Sequence, residues 1–334
     1  MPNGNAAVIP QMKTLKHRFL ESFTMPTAAG PTSTKLPITD VYKRIILYIS
    51  GSATIDAGGA DGVLTPESIL SLIRKITLVG TSSSRTKVGD IKVGDGAALF
   101  NLQQFLRGTP PEYTDPTPIT KGSTPDFDFS LPIDLEMPFS SDPRQSLLNT
   151  LELTSLYLNI DWGDDSDVFS AGTITALPVT CRISAEEFVD EFSKRQKYSL
   201  HQFSFIEQDS SVTSTRLSVR LKRGNLLRGV LIKQFTRAAV YYHTPVETVI
   251  NNVSLEVNRV IRKSYTFEEL QAQNKVDYQM VSVPTGYAFL DLMPEARYDT
   301  LIDTGKYDDV DIVFDITGVA NSYIRLYPVE LIPE

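Results

Sequence analysis

The chain has 334 residues, 41% of them hydrophobic and 22% charged, with a formal net charge of −8. That length suits about two domains, each able to bury its own core, and the acidic balance argues against nucleic acid as the main partner, because phosphate binding needs a basic face. No run approaches the ~18 apolar residues of a membrane-spanning helix, and one cysteine, Cys181, leaves no intrachain disulfide to rely on.

The first residues, Met1-Pro2-Asn3-Gly4, have no apolar stretch behind them, so no secretory signal is expected. Met12, Leu15 and Phe19 are spaced for one side of a helix, and Lys13, Lys16 and Arg18 make this segment basic on an acidic protein. Residues 1–30 are therefore expected to form an arm. It suits an anionic membrane surface, or equally a disordered or subunit-packing extension.

From there on the same pattern runs twice. Going along the chain, Thr32-Ser33-Thr34-Lys35 resembles Thr213-Ser214-Thr215-Arg216, and Ile45-Ile46-Leu47 resembles Val230-Leu231-Ile232. Leu72 to Leu78 matches Val249 to Leu255, Leu102-Gln103 matches Leu270-Gln271, and Ile133-Asp134-Leu135 matches Leu290-Asp291-Leu292. Leu156, Leu158, Ile160 and Trp162 alternate as Val310, Ile312, Phe314 and Ile316 do, and Ile174, Pro178 and Val179 align with Ile324, Pro328 and Val329. His17 pairs with His201, which suggests a structural role for both. Short β segments share an alphabet of Thr, Val, Ile and Leu, so each match is weak alone. Their unbroken order indicates a duplication, with copies over 31–190 and 191–334. The first copy carries an insertion near 109–126, rich in proline around Pro110 to Pro118.

Period-two alternation dominates both copies, as in Leu217, Val219 and Leu221 against Arg216, Ser218 and Arg220. Ile45 to Ile49 and Ala238 to Tyr242 are apolar almost throughout, which predicts strands covered on both faces. Each copy reads as about eight strands and one short helix, the second helix announced by the capping-box spacing of Thr266 and Glu269. The predicted fold class is mainly β: two tandem eight-stranded jelly rolls with short helices. Glu186 to Lys197 is polar and helix-compatible rather than a flexible linker, so the rolls are expected to pack as one rigid body.

The inventory of reactive groups is thin. There are three histidines, His17, His201 and His243, and no His-x-His cluster with a nearby carboxylate for a metal. No cofactor is expected. No nucleophile elbow, phosphate-cradling loop or zinc-protease motif is present. Cys181 reads as a small core residue. Asp161 to Asp167 resembles a calcium loop but lacks its spacing and terminal Glu, and a solvated hairpin loop is favoured. Asn252-Val253-Ser254 fits a glycosylation sequon within an expected buried strand, where chance explains it better.

Two tandem rolls, a basic arm, an insertion in one copy and no catalytic inventory resemble the double-jelly-roll major capsid proteins of tailless icosahedral viruses with an internal membrane, the adenovirus hexon-like lineage. The length is most similar to the compact phage members, those of lipid-containing phages of Flavobacterium among them. The resemblance implies a non-enzymatic virion protein, assembled in the host cytoplasm, whose trimers look hexagonal and tile an icosahedral shell. It implies partners in other copies of the chain, in minor capsid or vertex proteins and in an internal lipid membrane, with no sequence-specific nucleic-acid contact. Lys13, Lys16 and Arg18 would face that membrane, and the 109–126 insertion would be a tower loop or an inter-subunit clasp. The competing reading is a double-jelly-roll glycan-binding protein or glycan hydrolase, which needs carboxylates such as Glu136 and a tryptophan to converge on a groove.

Overall fold

The computed structural model describes residues 15–26, 29–81, 89–137, 146–188, 198–237, 243–293 and 301–333. The first half contributes β1 (Leu15–Thr24), β2 (Gly30–Lys35), β3 (Val41–Ser52), β4 (Ile73–Thr81), β5 (Gly89–Gly94), helix α1 (Gly96–Arg107), β6 (Asp126–Asp134), β7 (Ser155–Trp162) and β8 (Val179–Phe188). The second contributes β9 (Tyr198–Phe203), β10 (Ser214–Arg220), β11 (Leu226–Arg237), β12 (Ile250–Val257), β13 (Val260–Thr266), helix α2 (Phe267–Asp277), β14 (Tyr287–Asp291), β15 (Val310–Ile316) and β16 (Ser322–Pro333). In the first half, β1-β8-β3-β6 faces β2-β7-β4-β5; in the second, β9-β16-β11-β14 faces β10-β15-β12-β13. Every strand of the first roll thus has its counterpart eight strands on, and the double jelly roll is the observed architecture.

Alternation explains the sandwich. Val179, Cys181, Ile183 and Ala185 of β8 and Leu156, Leu158, Ile160 and Trp162 of β7 point inward and are buried. Trp162 lies edge-on to Phe23, and its indole N–H donates to Thr32 Oγ1 at 2.9 Å. Asn258 and Arg259, with φ of 50° and 64°, make the tight turn between β12 and β13. Helix α1 starts at Asp95, whose carboxylate accepts from the Ala98 N–H, and α2 starts with the expected Thr266–Glu269 capping box.

The strand register tests the duplication rung by rung. Ile133 lies opposite Ile45 as Leu290 lies opposite Val230, and Ile76 opposite Ile160 as Val253 opposite Phe314. Those sequence matches hold. The flanking ones slip. Thr34 faces Leu158 as Val219 faces Ile312, so Thr34 corresponds to Val219 and not to Thr215. Ile183 faces Leu47 as Leu326 faces Ile232, which puts Val179 in the place of Ser322 rather than Val329. By the same register His17 corresponds to Phe203, so the two histidines are not equivalents. The slips occur next to connectors of unequal length, where a shared Thr/Val/Ile alphabet lets a wrong register look right. One equivalence runs deeper than sequence: Thr150 Oγ1 donates to the Asp40 carbonyl just as Thr304 Oγ1 donates to that of Asn225, each opening a single 3-10 turn.

Other expectations are corrected. Leu15–Thr24, within the stretch read as an arm with helical spacing, is an edge strand paired along β8. Glu186, Glu187 and Phe188 complete β8 instead of starting a helix. In β3, Ile46 and Tyr48 are only half-buried, so that strand is covered on one face, while β11 is buried on both from Leu227 to Phe235; Ala238 to Tyr242 lie outside the described residues. Asp165–Val168 forms one helical turn capped by Asp164, and Arg74 bridges Asp164 at 3.3 Å and Asp167 at 2.7 Å. The acidic stretch is an ion-paired corner, not a solvated hairpin loop.

Both rolls point the same way. Strands β5 and β9 lie side by side in parallel, with Lys92 opposite Phe203, so the α1 end of the first roll is also the end where β9 finishes. Leu15, Phe188, Tyr198 and Pro333, paired two by two, all lie at the opposite end. Among the described residues, the α1 end is elaborated in the first roll only. There the connector 53–72, the segment 109–125 and the connector 163–178 are sewn together by Gly62 N–H to Ile119 O (3.0 Å), Ile55 N–H to Ser123 O (3.0 Å) and two small ladders, Phe169–Ala171 with Val63–Leu64 and Ile174–Ala176 with Thr54–Ile55.

The apolar core of the first roll does not stop at its own boundary. Leu231, Met280, Tyr287, Phe289, Tyr327 and Val329 of the second half belong to it, packed on α1. Two rolls that share a core unfold together. Calorimetry is expected to show one transition, and Phe289→Ala to lower it as a whole by about 3–5 kcal/mol; two resolved transitions, with only one shifted, would contradict a shared core.

Candidate assembly interface at the junction of the two rolls

The junction is built from three parts. Edge strand β5 pairs with edge strand β9, so two sheets become one continuous sheet. Helix α1 then lies against the outward face of β11, β14 and β16, with Phe105 packed on Phe289 and Tyr278. Gly108 ends the helix at φ 74°, and a Cβ there would meet the Tyr278 carbonyl at 2.3 Å, so glycine serves both the left-handed cap and the close approach.

The third part is a buried charge network at the N-terminal end of α1. Glu67 from the first roll accepts from the fully buried Lys233 Nζ at 2.7 and 2.9 Å and from the Tyr287 hydroxyl at 2.6 Å. Asp95 accepts from Arg325 Nη1 at 2.8 Å and from the Tyr327 hydroxyl, while Arg325 also reaches Glu207 at 2.5 Å. Burial pushes the Glu67 carboxyl above its usual range, against the pull of Lys233. Burial acts the same way on Asp95, but Lys233 and Arg325 outweigh it and hold that carboxyl far below its usual range. Such pairs contribute modestly when complete and cost several kcal/mol when one partner is removed, so they favour this one docking geometry over others.

His243 completes the network. Its Nδ1 lies 3.1 Å from the Lys233 ammonium, which can only donate, so the ring's proton sits on Nε2. Burial, and then the Lys233 charge, push its pKa down to about 2. Its neutral ring packs 4.2 Å from that of Phe235. Beside it a cavity of about 300 Å³ opens between the rolls, lined among others by Ser71, Lys75, Asp161 and Phe205.

The residues singled out by sequence fall elsewhere. Lys16 is exposed on β1, and Arg18 is held against the roll by Glu187 at 2.7 Å and Asp40 at 3.7 Å; Lys13 lies outside the described residues. Trp162 is in the core and Glu136 is ion-paired with Lys43 at 3.8 Å, so the two do not converge on a groove. Cys181 is buried, its thiol pushed up to about 12 by burial. Asn252, Val253 and Ser254 lie inside β12, between β13 and β15. Among the described residues, no three His, Cys, Asp or Glu side chains gather as metal ligands, and no helix is long and apolar enough to cross a membrane. Sequence reasoning missed Glu67, Asp95, Lys233 and Arg325. The available signal was Lys233 standing, with Arg228 and Gln234, in a strand whose remaining residues from Leu227 to Phe235 are apolar or glycine.

No family model matches the chain, and no curated protein does. Solved structures do. The major capsid protein of Sulfolobus turreted icosahedral virus is 13% identical with a TM-score of 0.76, over 96% of this chain and 97% of that one. The major capsid protein P2 of bacteriophage PM2 is 14% identical with a TM-score of 0.61, over 96% and 98%. The Faustovirus major capsid protein is 8% identical with a TM-score of 0.63, over 100% and 93%. The chain has the fold of these proteins from end to end.

Lys92 offers a titration of the junction. It is buried on β5, and burial pushes its pKa down to about 7, with Asp134 opposing and Arg228 reinforcing the shift. An unfolded lysine titrates near 10.4. Between these values the unfolded chain binds the extra proton, so stability rises with pH across that window, by on the order of a few kcal/mol. Denaturant melts from pH 7 to pH 10 are expected to show the rise, and Lys92→Met to flatten it; an unchanged slope in the variant would remove Lys92 as the cause.

Proposed function

We propose that this chain is a major capsid protein whose copies close into pseudo-hexagonal trimers and tile an icosahedral shell around an internal membrane. The observation that carries the reading is the end-to-end likeness in fold to viral major capsid proteins, with almost nothing of either chain left over. Two like rolls, parallel and rigidly joined, give each copy two similar lateral faces, so three copies present six. The function is then the shape itself and involves no catalytic step. The elaborated α1 end of the first roll forms the outer surface, with the 109–126 insertion part of a tower and not a clasp. Minor capsid or vertex proteins bind around the trimers, and assembly takes place in the host cytoplasm. Purified protein is expected to have the mass of a trimer by light scattering at micromolar concentration; a clean monomer there would overturn the reading.

Leu15, where β1 begins, lies at the end of the first roll away from the start of α1, the end that in this reading faces inward. Lys13, before this strand, and Lys16, exposed on it, carry the contact with anionic lipid, and Arg18, already paired with Glu187, anchors the strand. Removing residues 1–14 together with Lys16→Glu is expected to abolish flotation with phosphatidylglycerol vesicles while leaving the oligomer intact. Undiminished flotation would rule out a membrane role for the segment.

A further inference from the structure

The cavity beside His243 lies where the first turn of α1 meets the second roll, and a function carried by shape gives it no role. Its volume of about 300 Å³ is at the small end of the range for small-molecule sites. The carboxylates of the charge network along its wall are already engaged. Glu67 holds Lys233 and Tyr287, Asp95 holds Arg325, Tyr327 and the Ala98 N–H, and Glu207 holds Arg237 and Arg325. Donors are left over. His243 is 7% exposed, and its Nε2, the nitrogen that carries the proton, has no acceptor among the described residues. The buried Nε of Arg237 has none either, although the same guanidinium reaches Glu207 at 2.8 Å and lies 4.4 Å from the centre of the Tyr323 ring. Buried donors without acceptors are rare in folded proteins, and two beside one cavity point to something that completes them.

The surroundings say what kind of molecule that is. Ala97, in the first turn of the twelve-residue helix α1, lines the cavity, and a helix N-terminus favours negative charge. Lys75 on β4, exposed on the same wall, makes no ion pair among the described residues. Phe205, 36% exposed, offers an apolar ring, with the Arg325 guanidinium 4.7 Å from its centre. One group opposes an anion: the half-buried Asp161, which stands opposite Lys75 in the ladder of β4 and β7. Its charge repels a dense dianion more strongly than a single carboxylate.

We infer that this cavity is a binding site for a small aromatic monocarboxylate. The carboxylate accepts from His243 Nε2 and Arg237 Nε, its charge is met by the start of α1 and by Lys75, and its ring lies against Phe205. Both rolls contribute: Lys75 and Ala97 come from the first, Phe205, Arg237 and His243 from the second. A ligand held this way binds only the docked arrangement and therefore stabilises the junction. Only groups within one chain are involved, so the site stands or falls apart from the capsid reading.

Benzoate is the probe. In full-length protein labelled with carbon-13 at its three histidines, benzoate is expected to shift the His243 ring resonance saturably and to leave His17 on β1 and His201 on β9 unmoved. The melting temperature is expected to rise with benzoate concentration. Benzamide, alike in shape but uncharged, is expected to bind at least about tenfold more weakly, because the charge-assisted hydrogen bonds are lost. Inorganic phosphate is expected to bind more weakly too. Lys75→Gln, a change at an exposed side chain, is expected to weaken benzoate binding about threefold. His243→Phe keeps a ring beside Phe235, removes the donor and identifies the His243 resonance; it is expected to weaken binding at least about tenfold. A His243 resonance in the native protein that stays still at millimolar benzoate overturns the site and leaves its donors to ordered water. Equal binding of benzamide or phosphate overturns the assignment to a carboxylate. Either result leaves the trimer untouched.

Discussion

Everything in this molecule depends on the pairing of β5 with β9 and the helix laid across it. That single parallel contact joins two sheets from different rolls, sets both rolls pointing the same way and brings α1 onto a face that would otherwise be open to water. Once α1 is in place, the apolar residues of β11, β14 and β16 have two cores to serve, their own roll's and the neighbour's. The charged network around Glu67 and Lys233 then closes the end of the interface where the strands turn polar. A docking surface that is apolar in the middle and ion-paired at its end resists sliding, because a shifted geometry would strand a buried charge.

The same logic explains why the two rolls differ despite their common plan. The second roll has its outer sheet covered and carries short connectors at the α1 end. The first has a half-exposed outer sheet and a crown built from three connectors. Internal docking relieved one copy of the need for a soluble outer face, and the other kept half-buried Ile46 and Tyr48 where the second has Leu231 and Lys233. Divergence between the copies thus follows what each face touches.

Much of this was legible in the residues. Alternation announced the strands, the capping box announced α2, and the central matches of the repeat, Ile45 with Val230 and Ile76 with Val253, held at the level of individual rungs. Burial of Trp162 and Cys181 was also readable, since each stands in an alternating apolar strand. The edges of the repeat were not. Thr32 to Lys35 aligned by identity with the wrong residues, and His17 with His201, because the connectors flanking these edge strands differ in length between the copies and a few shared residues cannot fix the register. The basic segment near Leu15 was read with helical spacing because Leu15 and Phe19 fit either period over so short a window, and only pairing with β8 decided for a strand.

What the sequence by itself determined was the architecture: two copies of an eight-stranded unit and their order. These follow from side-chain periodicity, which is a local property of the chain. What only the tertiary structure decided was how the copies meet, which carboxylates and cations are buried together, and which edges stay open. Glu67 and Lys233 are 166 residues apart, and neither carries a local mark of its partner. Their pairing exists because two sheets joined edge to edge bring distant segments into one low-dielectric space, and no pattern along the chain encodes that distance.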